Sequence, residues 1–395
     1  MLCDYLRGSG VDSEKKDPMD QANRTLRLLM LSDLGSPHTQ RWAVALANRR
    51  FRVMVVGLNP VPSGWCKGVS GLQVKDLGIP REKSVRGERT LAKLCYYLTA
   101  VPRVKRILRS FRPHILHAHY ATSYGLLAST SGFHPWICSV WGSDVYSFPR
   151  KGLLHRQLLR FVLSRADQVC ATSSVMAEEC RKYTIRNIHV TPFGIDCRQF
   201  HPRAGIGSQN AHAITVGTIK SLEPNYRIDL LIRSFAEICR RHPWADLKLL
   251  IVGNGSQRSE LESLVEREGL SGRTFFAGQV PHQKVAEYLR RLSVYVAVSA
   301  SESFGVAVLE ASACGIPVVV SRVGGLVEVV RDGETGLIVP PDNLQATTTA
   351  IEKLVMDPTL RSTMGAAGRR WVADQYNWER SVEIMLDVYR SVSNV

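Results

Sequence analysis

Two glutamates eight residues apart lie in the segment of this 395-residue chain that is best suited to chemistry. Glu302 lies in a loop of small residues after the apolar run 294–299, and Glu310 lies in a helix that we expect to begin near Ser303. The N–H groups of a helix N-terminus bind anions such as a diphosphate. A carboxylate on the same helix can accept hydrogen bonds from the vicinal hydroxyls of a sugar. The structural alternative makes Glu302 a capping acid and Glu310 an ordinary helical residue.

Other patterns argue against several chemistries. The sequence Gly253-x-Gly255 permits a tight turn, but Arg258 occupies the third glycine of Gly-x-Gly-x-x-Gly, which argues against nicotinamide binding. The nine cysteines include no Cys-x-x-Cys, which favours reduced thiols and a cytoplasmic location. We expect His117 and His119, at the end of a strand, to face opposite sides and so to form no metal site. No cofactor and no metal are expected.

Apolar runs alternate with helical patterns along the chain, which predicts parallel sheets covered on both faces. One series ends near residue 172, and a second begins at Ala213 after a joint rich in Pro and Gly. We therefore expect an α/β fold of two doubly wound, Rossmann-like domains whose strand ends face a cleft. The predicted segments are a flexible N-terminus at 1–24, a first domain at 25–200, a second at 201–376 and a C-terminal helix at 377–395.

Several motifs together resemble a known family. The sequence ESFGVAVLE followed by ASACGIPVVVSRVGG resembles the Glu-x7-Glu signature of retaining glycosyltransferases of the GT-B fold, family 4 (glycosyl transferases group 1). VGTIKSLEPNYRIDLLIRSF, LLIVGNGSQRSELESL, FAGQVP and DGETGLIVPPDN follow the family's order, as do WGSDVY and VTPFGIDCRQF earlier in the chain. The resemblance covers about 26–392. It implies a GT-B fold in which the C-terminal helix crosses back to the first domain.

This resemblance implies a nucleotide-sugar donor site in the second domain. Glu310 would bind the ribose hydroxyls, Glu302 would contact the donor sugar as a catalytic residue, and Lys220 would neutralise the diphosphate. The family usually adds a lysine, where this chain has Tyr226 and Arg227, so either Arg227 replaces it or nothing does. The donor-binding positions implied besides Glu310 are Ser303, Phe304, Gly305, Arg227, Gly253, Val280 and Gly35.

The resemblance also implies an acceptor site in the first domain. His38 would line the cleft, and His119 either reaches it or is structural. Many family members have a histidine where this chain has Trp141, which cannot exchange protons but can stack on a sugar. Asp144 is then the candidate for orienting or deprotonating the acceptor hydroxyl, with a helix N-cap as the alternative.

The positive charge is confined to one half of the chain. Residues 1–200 contain 30 basic and 14 acidic side chains, and residues 201–395 contain 21 of each, so the whole net charge of +16 lies in the first half. A basic stretch at 81–112 has a partly apolar face, and a second basic cluster follows at 150–165. Basic amphipathic stretches are typical of surfaces that contact anionic membranes. The alternative is a solvated face on a core helix.

These observations lead to one favoured function and three alternatives. We expect a retaining, metal-independent enzyme that transfers a sugar, with a UDP-sugar favoured, to a glycan or lipid-linked acceptor in surface polysaccharide synthesis. It would be cytoplasmic and peripheral to the membrane, since no apolar run approaches about 18 residues. The alternatives are a cytosolic transferase that makes a soluble glycoside, a sugar-nucleotide epimerase and a nucleic-acid-binding protein. The last explains the charge but not the Glu-x7-Glu segment, so no nucleic acid partner is expected.

Overall fold

The computed structural model describes residues 25–60, 64–79, 90–202 and 213–393. The side chains of residues 90–96 and of Leu98 are outside this description. The predicted N-terminal segment 1–24 and the first part of the basic stretch, 81–89, also lie outside the described residues.

The first half of the described chain contains a parallel sheet of seven strands in the order β3-β2-β1-β4-β5-β6-β7. The strands are β1 (Arg27–Leu31), β2 (Arg52–Gly57), β3 (Leu72–Asp76), β4 (Ile115–His119), β5 (Trp136–Val140), β6 (Gln168–Ala171) and β7 (Ile188–Val190). Every residue of β4 and β5 is buried, as expected for central strands with helices on both faces. The chain reverses its direction of winding between β1 and β4, and ligands bind at such switch points.

Helices cover both faces of this sheet. They are α1 (Pro37–Ala47), α2 (Thr90–Phe111), α3 (Leu126–Ser131), α4 (Ser143–Tyr146), α5 (Leu153–Arg165) and α6 (Ser174–Arg181). The sequence predicts the first of these helices at 41–50, but α1 begins four residues earlier with a proline at its first position. Proline suits that position because its missing N–H would have no partner there. The earlier start brings His38 into the first turn of the helix.

The second half contains a parallel sheet of six described strands in the order β10-β9-β8-β11-β12-β13. These are β8 (Ile214–Ile219), β9 (Leu247–Val252), β10 (Thr274–Gly278), β11 (Val294–Ala297), β12 (Val318–Ser321) and β13 (Gly336–Val339). The surrounding helices are α7 (Ile228–Arg241), α8 (Arg258–Arg267), α9 (His282–Leu289), α10 (Val306–Ala313), α11 (Leu326–Val329), α12 (Leu344–Met356) and α13 (Pro358–Gln375). The switch point lies between β8 and β11, so this half repeats the winding of the first.

The last described helix, α14 (Trp378–Val392), returns to the first half of the molecule. Its Val382, Met385 and Tyr389 are buried in the same cluster as Leu28 and Met30 of β1. The prediction of two doubly wound α/β domains with a C-terminal helix crossing back is therefore confirmed. The exact domain boundaries stay predictions.

Two strands at the outer edges of the first sheet are absent from the sequence prediction. In β3, partly buried and exposed residues alternate, so it lacks the continuous apolar run by which the central strands are predicted. β7 has only three residues. Each strand pairs with one described neighbour, β3 with β2 and β7 with β6, and this tertiary pairing cannot be predicted from the local sequence pattern.

Candidate active site

The loop between β11 and α10 contains backbone N–H groups that have no acceptor among the described residues. The helix α10 begins at Val306, not near Ser303 as expected, because Gly305 lies just before it with a left-handed φ of 102°. Residues 303–305 therefore form the loop that precedes the helix. Among the described residues, nothing accepts a hydrogen bond from the N–H groups of Ser303, Phe304 or Gly305. Such free N–H groups beside a helix N-terminus form an anion-binding geometry.

Lys220 and Glu302 form an ion pair beside this loop. Lys220 follows β8, and its Nζ lies 4.9 Å from the centre of the Tyr226 ring. Burial lowers the pKa of Lys220, but the negative charge of Glu302, together with Tyr295 and Tyr226, raises it above its usual range overall. The lysine is thus positively charged at neutral pH. It lies beside the loop 303–305, where the family resemblance implies that the diphosphate binds.

Glu310 lies on α10, is 5% exposed and hydrogen-bonds to a histidine that sequence reasoning missed. The Nε2 atom of His282 is 3.0 Å from Oε1 of Glu310. His282 is the first residue of α9 and directly follows the segment 279–281, where Val280 is half-buried. The only sequence signal for His282 is its position next to that segment.

Glycines allow neighbouring loops to approach these residues closely. At Gly253, whose φ is 141°, a Cβ would lie 1.8 Å from the carbonyl oxygen of Lys220. At Gly324, a Cβ would lie 1.9 Å from the carbonyl oxygen of Glu302. The loops that bear Lys220 and Glu302 are therefore each packed backbone to backbone against a glycine, which fixes their position.

Arg227 is paired with carboxylates of its own half of the molecule. Its guanidinium forms ion pairs with Asp229, at 3.1 Å, and with Asp342. The residue itself has a left-handed φ of 50° just before α7. Arg227 is therefore paired with Asp229 and Asp342. Of the two cations, Lys220 is the one that contacts Glu302.

The predicted acceptor residues of the first half lie in one aromatic cluster. His38 stacks on Phe193 with ring centres 4.2 Å apart, and Trp141 lies edge-on to both rings. The ring of His119 lies 4.8 Å from that of Trp141. Burial, followed by the charges of Arg41 and His282, lowers the pKa of His38 to about 4. His38 is therefore neutral at neutral pH. Gly35 is exposed nearby in the loop between β1 and α1.

The expectation that His117 and His119 face opposite sides is wrong. They are two residues apart in β4, and side chains two residues apart on a strand share a face. Their rings meet edge-on with centres 4.4 Å apart. His117 is structural, with 2.8 Å hydrogen bonds to the hydroxyls of Tyr389 and Ser139. His119 is buried and bonds to the hydroxyl of Ser32 at 3.0 Å.

Asp144 holds the backbone of its own loop. It is fully buried, and its carboxylate accepts hydrogen bonds from the N–H groups of Ala121, Gly142 and Trp141 at 2.8–3.2 Å. Burial raises the pKa of Asp144, and the N–H donors oppose that shift. Since α4 begins at Ser143 after Gly142, Asp144 is not the N-cap residue. Its contacts instead position Trp141.

The two halves touch beside the candidate site. A Cβ at Gly142 would lie 2.8 Å from that of Ser303, and the hydroxyl of Ser173 donates to the carbonyl of Ser303 at 3.2 Å. The carboxylate of Glu328 accepts from the N–H groups of Ser174 and Val175, at 2.8 and 2.7 Å. The aromatic cluster around Trp141 and the loop 302–305 therefore lie on opposite sides of the contact between the two halves.

The basic surface of the first half differs between its two segments. The described apolar residues of α2, from Val104 to Phe111, are largely buried, so its exposed arginines lie on a solvated face of a core helix. On α5, by contrast, Leu153 and Leu154 are 69% and 64% exposed. Basic residues accompany them at Arg150, Lys151, Arg156, Arg160 and Arg165. Apolar and basic side chains thus share an exposed surface on α5.

The described residues contain neither a membrane-spanning helix nor a metal-binding cluster. Within the described ranges, no helix combines the length and apolarity needed to cross a bilayer. In the same part of the chain, no group of three His, Cys, Asp or Glu side chains has a metal-binding arrangement.

Comparisons with known proteins agree with this architecture. The family model described as glycosyl transferases group 1 matches residues 207–371, and that described as glycosyl transferase 4-like matches residues 27–173. The D-inositol 3-phosphate glycosyltransferase of Kribbella flavida is 30% identical over 82% of this chain and 82% of its own. A GDP-mannose-dependent alpha-(1-6)-phosphatidylinositol monomannoside mannosyltransferase of Mycolicibacterium smegmatis is 33% identical over 48% of this chain and 52% of its own.

A solved structure shares the fold over nearly its whole length. Anabaena HepE in complex with UDP superposes with a TM-score of 0.74 at 17% identity, covering 93% of this chain and 100% of its own. The fold is GT-B, two facing α/β domains with parallel sheets. The chain belongs to the glycosyl transferases group 1 family, and it is a glycosyltransferase.

Proposed function

We propose that this enzyme transfers a sugar from a nucleotide-sugar, with a UDP-sugar favoured, and retains the anomeric configuration. The observation that carries the proposal is the set of free N–H groups at residues 303–305 beside the Lys220–Glu302 pair. This arrangement suits a diphosphate, while Glu310 provides a nearly buried carboxylate for the ribose. The UDP bound to Anabaena HepE supports uridine, and the name of the mycobacterial relative supports GDP-mannose as the competing donor.

The proposed chemistry follows from the charges that develop in the reaction. Breaking the anomeric C–O bond places negative charge on the leaving diphosphate and positive charge on the sugar. Lys220 and the N–H groups of residues 303–305 stabilise the leaving group, without a metal ion in this proposal. Glu302 faces the positive sugar. Trp141 provides a stacking surface for the acceptor, and Asp144 acts by positioning Trp141.

The stereochemical part of the proposal has a direct test. Proton NMR of the product reports the configuration of its new anomeric centre, which is a glycosidic acetal and does not mutarotate. The proposal requires the configuration of the donor sugar in the product, and an inverted product would reject it.

We further propose that the acceptor is a membrane-associated glycan or lipid-linked sugar, met at an anionic membrane surface. The exposed Leu153 and Leu154 beside the basic residues of α5 support this proposal. Apolar side chains enter the interface while each nearby Lys or Arg adds about 1 kcal/mol of attraction to anionic lipid. The surface begins a few residues after α4, the helix that follows Trp141 in the chain.

Co-sedimentation with vesicles tests the membrane proposal. The wild type should bind vesicles containing phosphatidylglycerol at low salt and lose binding as salt rises. The double variant Leu153→Glu/Leu154→Glu should lose most of the binding. A matched control is Trp244→Glu, since Trp244 is 74% exposed in the other half of the molecule. Equal binding by wild type and double variant would reject docking through α5.

A soluble acceptor is the second candidate. It is favoured by the name of the Kribbella flavida relative, whose D-inositol 3-phosphate is a small phosphorylated polyol. Turnover with D-inositol 3-phosphate in the absence of vesicles would support this candidate over the membrane acceptor.

A further inference from the structure

The contact between His282 and Glu310 shows which of the two side chains donates the hydrogen bond. A carboxylate has no hydrogen to donate, so the Nε2 atom of His282 must carry the proton of the 3.0 Å hydrogen bond to Oε1. Among the described residues, no other side chain hydrogen-bonds to Glu310. The second carboxylate oxygen is therefore available to a ligand.

Two residues of the segment that connects the two halves, Gln199 and Phe200, contact His282. The ring of Phe200 lies edge-on to it, with centres 5.7 Å apart. The side-chain amide of Gln199 donates to the backbone carbonyl of His282 at 3.4 Å. The contacts with Phe200 and Gln199 restrict the position of the His282 ring, and this ring donates the hydrogen bond to Glu310.

We propose that His282 is a positioning residue that orients Glu310 toward the ribose of the bound nucleotide. The inference rests on the proposed function, in which Glu310 binds the ribose hydroxyls. With Oε1 held by His282, Oε2 accepts from a ribose hydroxyl. Without His282, a carboxylate that is nearly buried is left with no protein donor and no fixed orientation. His282 thus sets the preference for a ribonucleotide over one that lacks the ribose hydroxyls.

The experiment compares affinities for nucleotides with and without those hydroxyls. UDP, GDP and ADP and their 2′,3′-dideoxy counterparts are titrated calorimetrically into the wild type, and the base bound most tightly is used further. The same pair is titrated into His282→Ala, His282→Gln and the control Gln283→Ala, an exposed neighbour on α9. Glutamine retains an N–H donor on the side chain.

The ratio of the two affinities separates positioning from general structural damage. The wild type should bind the ribonucleotide at least about tenfold more tightly than the dideoxy form, the value of one charge-assisted hydrogen bond. In His282→Ala the ratio should fall to less than half the wild-type value, with dideoxy binding nearly unchanged. His282→Gln and Gln283→Ala should keep most of the ratio.

The failures are distinguishable. An unchanged ratio in His282→Ala, or an equal loss for both ligands, overturns the role of His282 and leaves the proposed donor site intact. Absence of binding by any of the nucleotides to the folded wild type overturns the proposed function itself.

Discussion

At the scale of single residues, the two cations that the family resemblance offers for the diphosphate have different surroundings. Lys220 pairs with Glu302 at the free N–H groups, whereas Arg227 is occupied by Asp229 and Asp342. Two carboxylates balance the charge of Arg227 locally, and their negative charge opposes the approach of an anionic ligand, whereas Lys220 has one carboxylate partner among the described residues. Of these two cations, we therefore propose that Lys220 contacts the diphosphate, together with the N–H groups of residues 303–305.

Replacing Lys220 tests this assignment. Lys220→Met should weaken binding of a nucleoside diphosphate by about 10- to 100-fold, because one charge-assisted contact is lost. Binding of the nucleoside without phosphates should change much less. Calorimetric titration of both ligands measures the difference.

The control for this prediction is Arg227→Met, which should change diphosphate affinity by less than about threefold. Because Lys220→Met leaves Glu302 unpaired, the double variant Lys220→Met/Glu302→Gln serves as a second control for damage to the fold. A larger loss in Arg227→Met than in Lys220→Met would contradict the assignment.

Residue roles were only partly predictable from sequence. Glu302, Glu310 and Lys220 belong to recognisable motifs, and the structure brings Lys220 and Glu302 into contact. His282 lies 28 residues before Glu310 in the chain, so only the fold reveals their hydrogen bond. The surroundings of Asp144 were equally hidden, because its donors include Ala121 of a separate segment.

At the scale of elements, the loops that form the site depend on glycines as much as on polar side chains. Gly253 follows β9 in a conformation that L-residues rarely adopt, and it touches the backbone of Lys220. A side chain at this position would displace the loop that carries the lysine. A substitution at Gly253 should therefore affect both the stability of the second half and the position of Lys220.

The variant Gly253→Ala should lower the free energy of unfolding by at least about 3 kcal/mol, through the clash and the strained φ. Gly269→Ala is the matched control, because Gly269 also has a positive φ, of 71°, but has no atoms near a Cβ. Its cost should be about 1 kcal/mol. Urea denaturation measures both, and equal small costs would refute the close packing of Gly253.

The elements themselves were largely predictable. The sequence predicts strands at 136–140 and 274–278 and helices at 228–241 and 344–356, and β5, β10, α7 and α12 have these limits. Buried parallel strands have continuous apolar runs and the helices have a clear apolar period, so local sequence suffices for them. The edge strands β3 and β7 were missed because their formation depends on tertiary pairing.

At the scale of the whole molecule, a carboxylate joins the two halves. Glu328 of α11 accepts from two N–H groups at the start of α6, where the helix dipole also favours a negative charge. This contact stabilises the closed arrangement beside the site. In the proposed function, this arrangement would exclude water and so limit hydrolysis of a bound donor.

Glu328→Ala should therefore increase the radius of gyration measured by small-angle X-ray scattering, as open arrangements become more populated. Glu334→Ala is a suitable control, since Glu334 is exposed and, within the described part of the chain, its one ion pair is with Arg331 of its own segment. A radius of gyration identical to that of the wild type would show that Glu328 does not hold the halves together.

The central claim is that the second half binds a nucleoside diphosphate through Glu310 and the loop 302–305. A thermal-shift panel with UDP, GDP and ADP in the presence of EDTA tests it most directly. At a hundredfold excess over its dissociation constant, the preferred nucleotide adds about 2.7 kcal/mol. This corresponds to a rise of about 5–10 °C in melting temperature.

The account predicts that one nucleotide raises the melting temperature selectively. The rise should be mostly lost in Glu310→Ala and kept in Glu287→Ala, which alters an exposed acid on α9. No rise with any of the three nucleotides, or an undiminished rise in Glu310→Ala, would contradict the account.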